Sequence, residues 1–365
     1  MKKLSWLLLH FSAGLLVVCG CGGDVGGGDP EPADTGSISG FVAGGITGVA
    51  ISDAMITVGT LSTTTNQQGY FSLADVPTGQ RPVNIARAGY LTAQRMVRVI
   101  VGDNVQLPDV FLPYTEEFVI DGAAGGSADT AEGSISFGAG AFVDVDGDPY
   151  IGDVNLEVTT VVPGDEAFYA AFPGDFEGLR EDGTTTLFES FGFMGVNMFN
   201  ADMSAAVRLA PGRTATLSLH MDAKMLGESI PMWWFDVSTG RWREDGASTY
   251  VVGSFVADID HVTTWSWNLP VDDICLIEGL VLGPDEQPFP GARVFSRGVD
   301  NAIMDHDDTG DDGRFSVRAK MNAASDVWAQ FGSLAGGSVR VVVAADCPVV
   351  IETPLRLLEP GSASP

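Results

Sequence analysis

Short alternations of apolar and polar residues run along most of the chain. Ser39-Gly40-Phe41-Val42, Ala54-Met55-Ile56-Thr57-Val58, Tyr70-Phe71-Ser72-Leu73 and Val83-Asn84-Ile85-Ala86 have the texture of strands with one buried face. Asn66-Gln67-Gln68-Gly69 and Pro77-Thr78-Gly79 carry turn residues between them. Turn signals return about every 8–12 residues, which points to sandwiches or barrels. No sustained i, i+3, i+4, i+7 stripe is present, and the one predicted helix is short, from Phe199 to Ala206. The expected fold is all-β.

The pattern of the first 80 or so folded residues returns near the end. Ile38-Ser39-Gly40-Phe41-Val42 is matched by Ile277-Glu278-Gly279-Leu280-Val281. Thr65-Asn66-Gln67-Gln68-Gly69-Tyr70-Phe71 is matched by Thr309-Gly310-Asp311-Asp312-Gly313-Arg314-Phe315. This is an internal repeat of one module with different sequence between its copies. The region between is also β-patterned. Leu187 to Val196 reads as a buried strand, and Ile230 to Asp236 followed by Thr239 to Trp242 reads as an aromatic hairpin.

Both copies resemble the carboxypeptidase regulatory-like domain, whose signature runs G-x-V, then an A-x-V strand, then T-x-x-x-G-x-F/Y. In the first copy it continues through Val76-Pro77-Thr78-Gly79 and Gly89-Tyr90; in the second nothing equivalent follows Val317. The resemblance implies a transthyretin-like, immunoglobulin-like sandwich that serves as support or spacer, not a catalytic centre. The Trp-rich half of the middle region resembles a domain of cartilage intermediate layer protein and its relatives. That resemblance implies an extracellular matrix or surface role. The expected layout is tandem β-sandwiches at 37–113, 114–270 and 271–357, with a disordered tail at 358–365.

The N-terminus sets the expected compartment. Lys2 and Lys3 precede an apolar stretch from Leu4 to Val18, the layout of a secretory signal peptide over residues 1–20. Val18-Cys19-Gly20-Cys21 resembles a bacterial lipobox, which implies lipidation of Cys21 and a membrane anchor. Residues 21–36 are then a Gly-rich tether. Gly22 after the cysteine, in place of Asp, implies by the same resemblance an outer-membrane or cell-surface location.

Charge and cysteine count narrow the partners. The chain holds 48 acidic and 19 basic residues, a net charge of −29. Nucleic acid is therefore not an expected partner, because phosphate neutralisation needs Lys and Arg. Cys275 and Cys347 remain after the leader. In an exported chain they form either one disulfide, which would contribute roughly 3–4 kcal/mol, or two buried thiols.

Catalytic motifs are missing: H-E-x-x-H, G-x-S-x-G and a Gly-Lys phosphate loop do not occur. No resident cofactor is expected, and the chain is read as a non-enzyme. Two binding sites are candidates. Asp305, Asp307, Asp308, Asp311 and Asp312 fall on an expected hairpin loop and either hold Ca²⁺ or lie solvated. Asp144-x-Asp146-Gly147-Asp148 has the same two readings, with a plain turn favoured. Trp233, Trp234 and Trp242 either pack as core or stack on sugars. The expected function is an adhesive, binding or spacing module of the cell envelope, with a glycan or an envelope or matrix protein as partner. The alternatives are a carbohydrate-binding protein and a cryptic hydrolase accessory.

Overall fold

The computed structural model describes residues 34–45, 48–107, 110–164, 167–221, 227–331, 334–344 and 346–359. The predicted leader, Cys21 and nearly all of the tether lie outside the described residues. Within them the chain is all-β, with one five-residue helix.

The N-terminal module contains β1 (Thr35–Gly44), β2 (Val49–Ala50), β3 (Met55–Val58), β4 (Leu61–Thr64), β5 (Tyr70–Pro77), β6 (Gly79–Ala86), β7 (Ala93–Val99), β8 (Asn104–Gln106) and β9 (Val110–Leu112). β1 is the hub of one sheet, antiparallel to β5 and parallel to β8 and β9. The other sheet runs β4-β3-β6-β7. Ile38, Val42 and Phe71 from the first sheet meet Ile56, Val83 and Ile85 from the second in one buried core.

The middle module opens with β10 (Glu116–Asp121), β11 (Gly126–Asp129), β12 (Gly133–Phe137), β13 (Phe142–Val143) and β14 (Asp153–Val161). α1 (Ala167–Ala171), β15 (Glu177–Leu179), β16 (Thr185–Phe199), β17 (Arg208–Leu209) and β18 (Ala215–His220) follow. It ends with β19 (Ser229–Asp236), β20 (Arg241–Val251), β21 (Ser254–Ile259) and β22 (Thr264–Pro270). The main sheet runs β10-β14-β16-β22-β19-β20-β21-β18-β12-β11. It folds back on itself, and its two ends meet at the bridge between Asp121 and Gly125. β10 and β22 lie three antiparallel steps apart, so the chain enters this module and leaves it at the same end.

The C-terminal module contains β23 (Ile274–Leu282), β24 (Arg293–Gly298), β25 (Met304–Asp308), β26 (Arg314–Lys320), β27 (Ala323–Phe331), β28 (Leu334–Ala335), β29 (Val339–Val343), β30 (Val349–Val350) and β31 (Leu355–Arg356). Its pairing repeats that of the first. β23 is antiparallel to β26 and parallel to β30 and β31. β24 pairs β25 and β27, and β27 pairs β29, as β3 pairs β4 and β6, and β6 pairs β7. The strands that the sequence after Val317 left unassigned are β27 to β31.

The repeated T-x-x-x-G motif has one structural cause in both modules. The Thr65 hydroxyl donates to Ile51 O at 2.6 Å and accepts from Ala54 N at 2.9 Å. Thr309 does the same with Phe289 O at 2.7 Å and Ala292 N at 2.9 Å. Gly69 and Gly313 both have positive φ, and a Cβ on them would lie 2.4 Å from Val42 O and 2.8 Å from Val281 O. Only glycine allows that approach.

One element was misread from sequence. Phe199 to Ala206 is not a helix. The two residues bridge as antiparallel partners around a turn. Asn200 Oδ1 accepts from Ser204 N at 2.9 Å and Ala205 N at 3.1 Å, so the side chain closes the turn and competes with helical bonding.

Candidate functional site

Trp233 and Trp234 are neighbours on β19, so their rings leave opposite faces of the strand. Trp233 is fully buried, and its indole N–H donates to Asn268 O at 3.0 Å. Trp242, opposite Phe235 on β20, is also fully buried and donates to Pro173 O at 2.8 Å. Neither ring offers a face to a sugar, so Trp233 and Trp242 are corrected from ligand-binding candidates to core. Trp234 is half-buried; Arg243 lies 5.9 Å over its ring and His261 meets its edge at 4.9 Å.

The two buried tryptophans belong to a cluster at the meeting of the three modules. Phe172 stacks on Phe176 at 4.0 Å and packs against Trp242 at 5.1 Å; Phe188 packs against Trp233 at 5.3 Å. Leu91 enters this cluster from the N-terminal module, and Ala302 and Ile303 enter from the C-terminal one. Phe168, Phe172 and Phe176 come from α1 and the segment after it, spaced by four in sequence. That spacing was visible in the sequence, although only Phe168 of the three lies within α1.

Polar contacts tie each outer module to this hub. From β7, Arg95 donates to Phe172 O at 3.0 Å and to Ala170 O, capping the C-terminal carbonyls of α1. Burial pulls its guanidinium down to about 10, partly offset by Asp175. Gln94 Nε2 donates to Val237 O at 2.8 Å in the β19–β20 turn. On the other side Arg318 reaches Glu177 at 2.6 Å and Asp305 at 2.7 Å, and Lys320 reaches Glu189 at 2.8 Å. Burial works against the Arg318 charge, but Asp305 and Glu177 outweigh it and hold its pKa above the ordinary value. Asp305 aside, none of these groups stood out in the sequence, because their partners across the junction lie far along the chain.

The acidic run has a different use from the one expected. Asp305, Asp307 and Asp308 are on strand β25, not in a loop. Asp305 is buried and accepts from Arg318 N at 2.7 Å; Asp307 accepts from Ser316 N at 2.9 Å. These two carboxylates satisfy alternate outward N–H groups of β26, which has no strand on that side among the described residues. Asp308 forms a bidentate pair with Arg293 at 2.9 and 3.2 Å. Asp312 accepts from Arg314 N at 3.1 Å in the following turn, and Asp311 lines the nearby cleft. The five acids are thus divided among separate partners. Among the described residues no three His, Cys, Asp or Glu side chains gather around a common point that could hold a metal. Asp144 Oδ1 accepts from Asp146 N at 3.0 Å and Asp148 N at 2.9 Å, the hydrogen bonding of an Asx turn.

Cys275 and Cys347 are joined in a disulfide. Between the N- and C-terminal modules runs a cleft of about 390 Å³, with Val97, Leu107, Phe295 and Phe331 on its walls and Arg98 and Arg293 at its rim.

Residues 37–113 match the carboxypeptidase regulatory-like domain family. Cartilage intermediate layer protein 2 of Homo sapiens is 29% identical over 115 residues, 31% of this chain and 10% of that protein. The Mus musculus protein is 32% identical over 122 residues, 32% of this chain and 10% of that protein. The chain therefore spans about a tenth of the length of these relatives. Among solved structures, the Bacillus anthracis TIE protein is 11% identical with a TM-score of 0.21, covering 89% of this chain and 51% of that one. The major pilin subunit BcpA of Bacillus cereus is 8% identical with a TM-score of 0.20, covering 88% and 99%. Such scores are too low to mean a shared arrangement of the whole chain.

Proposed function

We propose that the chain is a non-catalytic spacer of the bacterial cell envelope, lipid-anchored through Cys21 and holding two terminal sandwiches at a fixed spacing. The observation that carries this reading is the aromatic junction. The largest rings pack in a closed core, and the long-range ion pairs join the middle module to the C-terminal one. A protein that binds or cleaves a small molecule directs such groups at a cavity. Here Trp233 and Trp242 are sealed inside the hub, and Arg95 and Arg318 reach from the outer modules into the middle one. The C-terminal segment is, in this reading, a second copy of the regulatory-like module, because its strand pairing and its Thr–Gly motif repeat those of residues 37–113.

Fractionation of cells expressing the full chain tests the anchor. Wild-type protein should sediment with the outer membrane, and Cys21→Ser protein should appear in the soluble fraction. A Cys21→Ser chain that still sediments with membrane removes the lipid anchor from the proposal.

A further inference from the structure

We infer that the two terminal sandwiches are built to carry tension between the ends of the chain. This deepens the spacer reading and adds a load to it. In the first module the opening strand β1 and the closing strands β8 and β9 are direct neighbours and run parallel, from Ser37↔Asn104 through Gly44↔Leu112. In the last module β23 has the same relation to β30 and β31, at Ile277↔Val349 and Val281↔Leu355. A pull on the N-terminal side of the opening strand and on the C-terminal side of the closing strands slides parallel neighbours past each other. All the hydrogen bonds between them then load together. A pull on two strand ends at the same edge of a sheet breaks such bonds one after another. The middle module is in that second class, because β10 begins and β22 ends at the same end of the sheet.

The two clamps are closed differently at the same place. Matching Ile38 to Ile277 and Val105 to Val349, Cys275 falls on Gly36 and Cys347 on Asp103. In the first module that point is held by Ser37 N donating to Asp103 O at 2.8 Å and Gly102 N donating to Thr35 O at 2.8 Å. In the last it is held by the disulfide, which spans 72 residues. Tension entering at Cys275 leaves at Cys347 through the sulfur atoms, so the chain between them is not extended.

The test is single-molecule stretching of the full chain between handles at its two ends. Two steps are expected while the disulfide is intact, and a third once it is removed. The middle module yields first, at the lowest force, releasing roughly 500 Å of contour. The first module follows with roughly 250 Å. The last adds roughly 240 Å only after reduction or in a Cys275→Ser/Cys347→Ser chain. Moving one handle to Thr60→Cys, at the exposed tip between β3 and β4, peels the first module instead of shearing it and should lower its rupture force at least twofold. The inference is overturned if the first module ruptures before the middle one, or if peeling and end-to-end pulling give equal forces. Cys21→Ser fractionation is independent of either result, so a failed anchor and a failed clamp are distinguishable.

Discussion

Asp305 serves two sheets with one carboxylate. It accepts from the backbone of Arg318 on β26 while pairing with the guanidinium of the same residue, which also reaches Glu177 in the middle module. Removing a buried partner strands the remaining charge and an N–H. Asp305→Ala should cost about 2–3 kcal/mol, read as a lowered urea midpoint; a loss below about 0.5 kcal/mol would mean that water replaces the carboxylate. Asp236 makes the matching prediction for pH. Burial pushes its carboxyl up, but Ser238, Arg243 and Thr239 donate to it and hold it at about 2. The unfolded carboxyl binds its proton near its ordinary value of 3.8, before the folded one does. The stabilisation is therefore complete above about pH 4 and is lost as pH falls toward 2. Asp236→Asn should flatten the acid limb of a stability–pH curve, and an unchanged limb would assign the loss to other groups.

Among the elements, the β19–β20 hairpin and α1 decide whether the modules stay together. Trp242→Ala opens a hole beneath Phe172 and Phe235 and should cost about 3–5 kcal/mol. Gly195→Ala is a gentler probe of the same interface. A Cβ there would lie 2.2 Å from Leu91 Cδ1 and 3.0 Å from its Cγ, so the N-terminal module must shift. Limited proteolysis at 113–115 should accelerate in this variant while the cores of both modules stay protected. Equal cleavage rates would mean that Leu91 turns aside. Strand existence was legible wherever period-2 alternation ran into a turn, as at Ile38 to Val42 and Tyr70 to Leu73. The Thr–Gly motif was legible too, because it is local. The junction was not, because Arg95 and Phe172 meet across 77 residues, and a buried Trp reads in sequence like an exposed one. The acidic run misled for a related reason. Its spacing shows density, but the arginines and strand edge that satisfy it come from elsewhere in the chain.

At the scale of the whole molecule, the described residues form a single compact unit held by one aromatic hub and one covalent staple. Reduction of Cys275–Cys347 should destabilise the C-terminal module by roughly 4.4 kcal/mol on the chain-entropy model for a loop of 72 residues and leave the first module untouched. Thermal scans with and without reductant check this; a uniform shift of every transition would show that the modules unfold together.

The middle sheet, which the chain enters and leaves at one end, also has a meaning for descent and engineering. A segment whose two connections lie at one end of its sheet can be exchanged without rerouting what flanks it. The sandwiches on either side share a pairing plan that the intervening sheet does not. Together they have the form of a duplicated frame with an interchangeable cassette. Other chains built on this frame should differ most in what lies between their two Thr–Gly motifs. A designer who replaces residues 116–270 has to supply a new apolar seat for Leu91, Ala302 and Ile303 and new acceptors for Gln94, Arg95, Arg318 and Lys320.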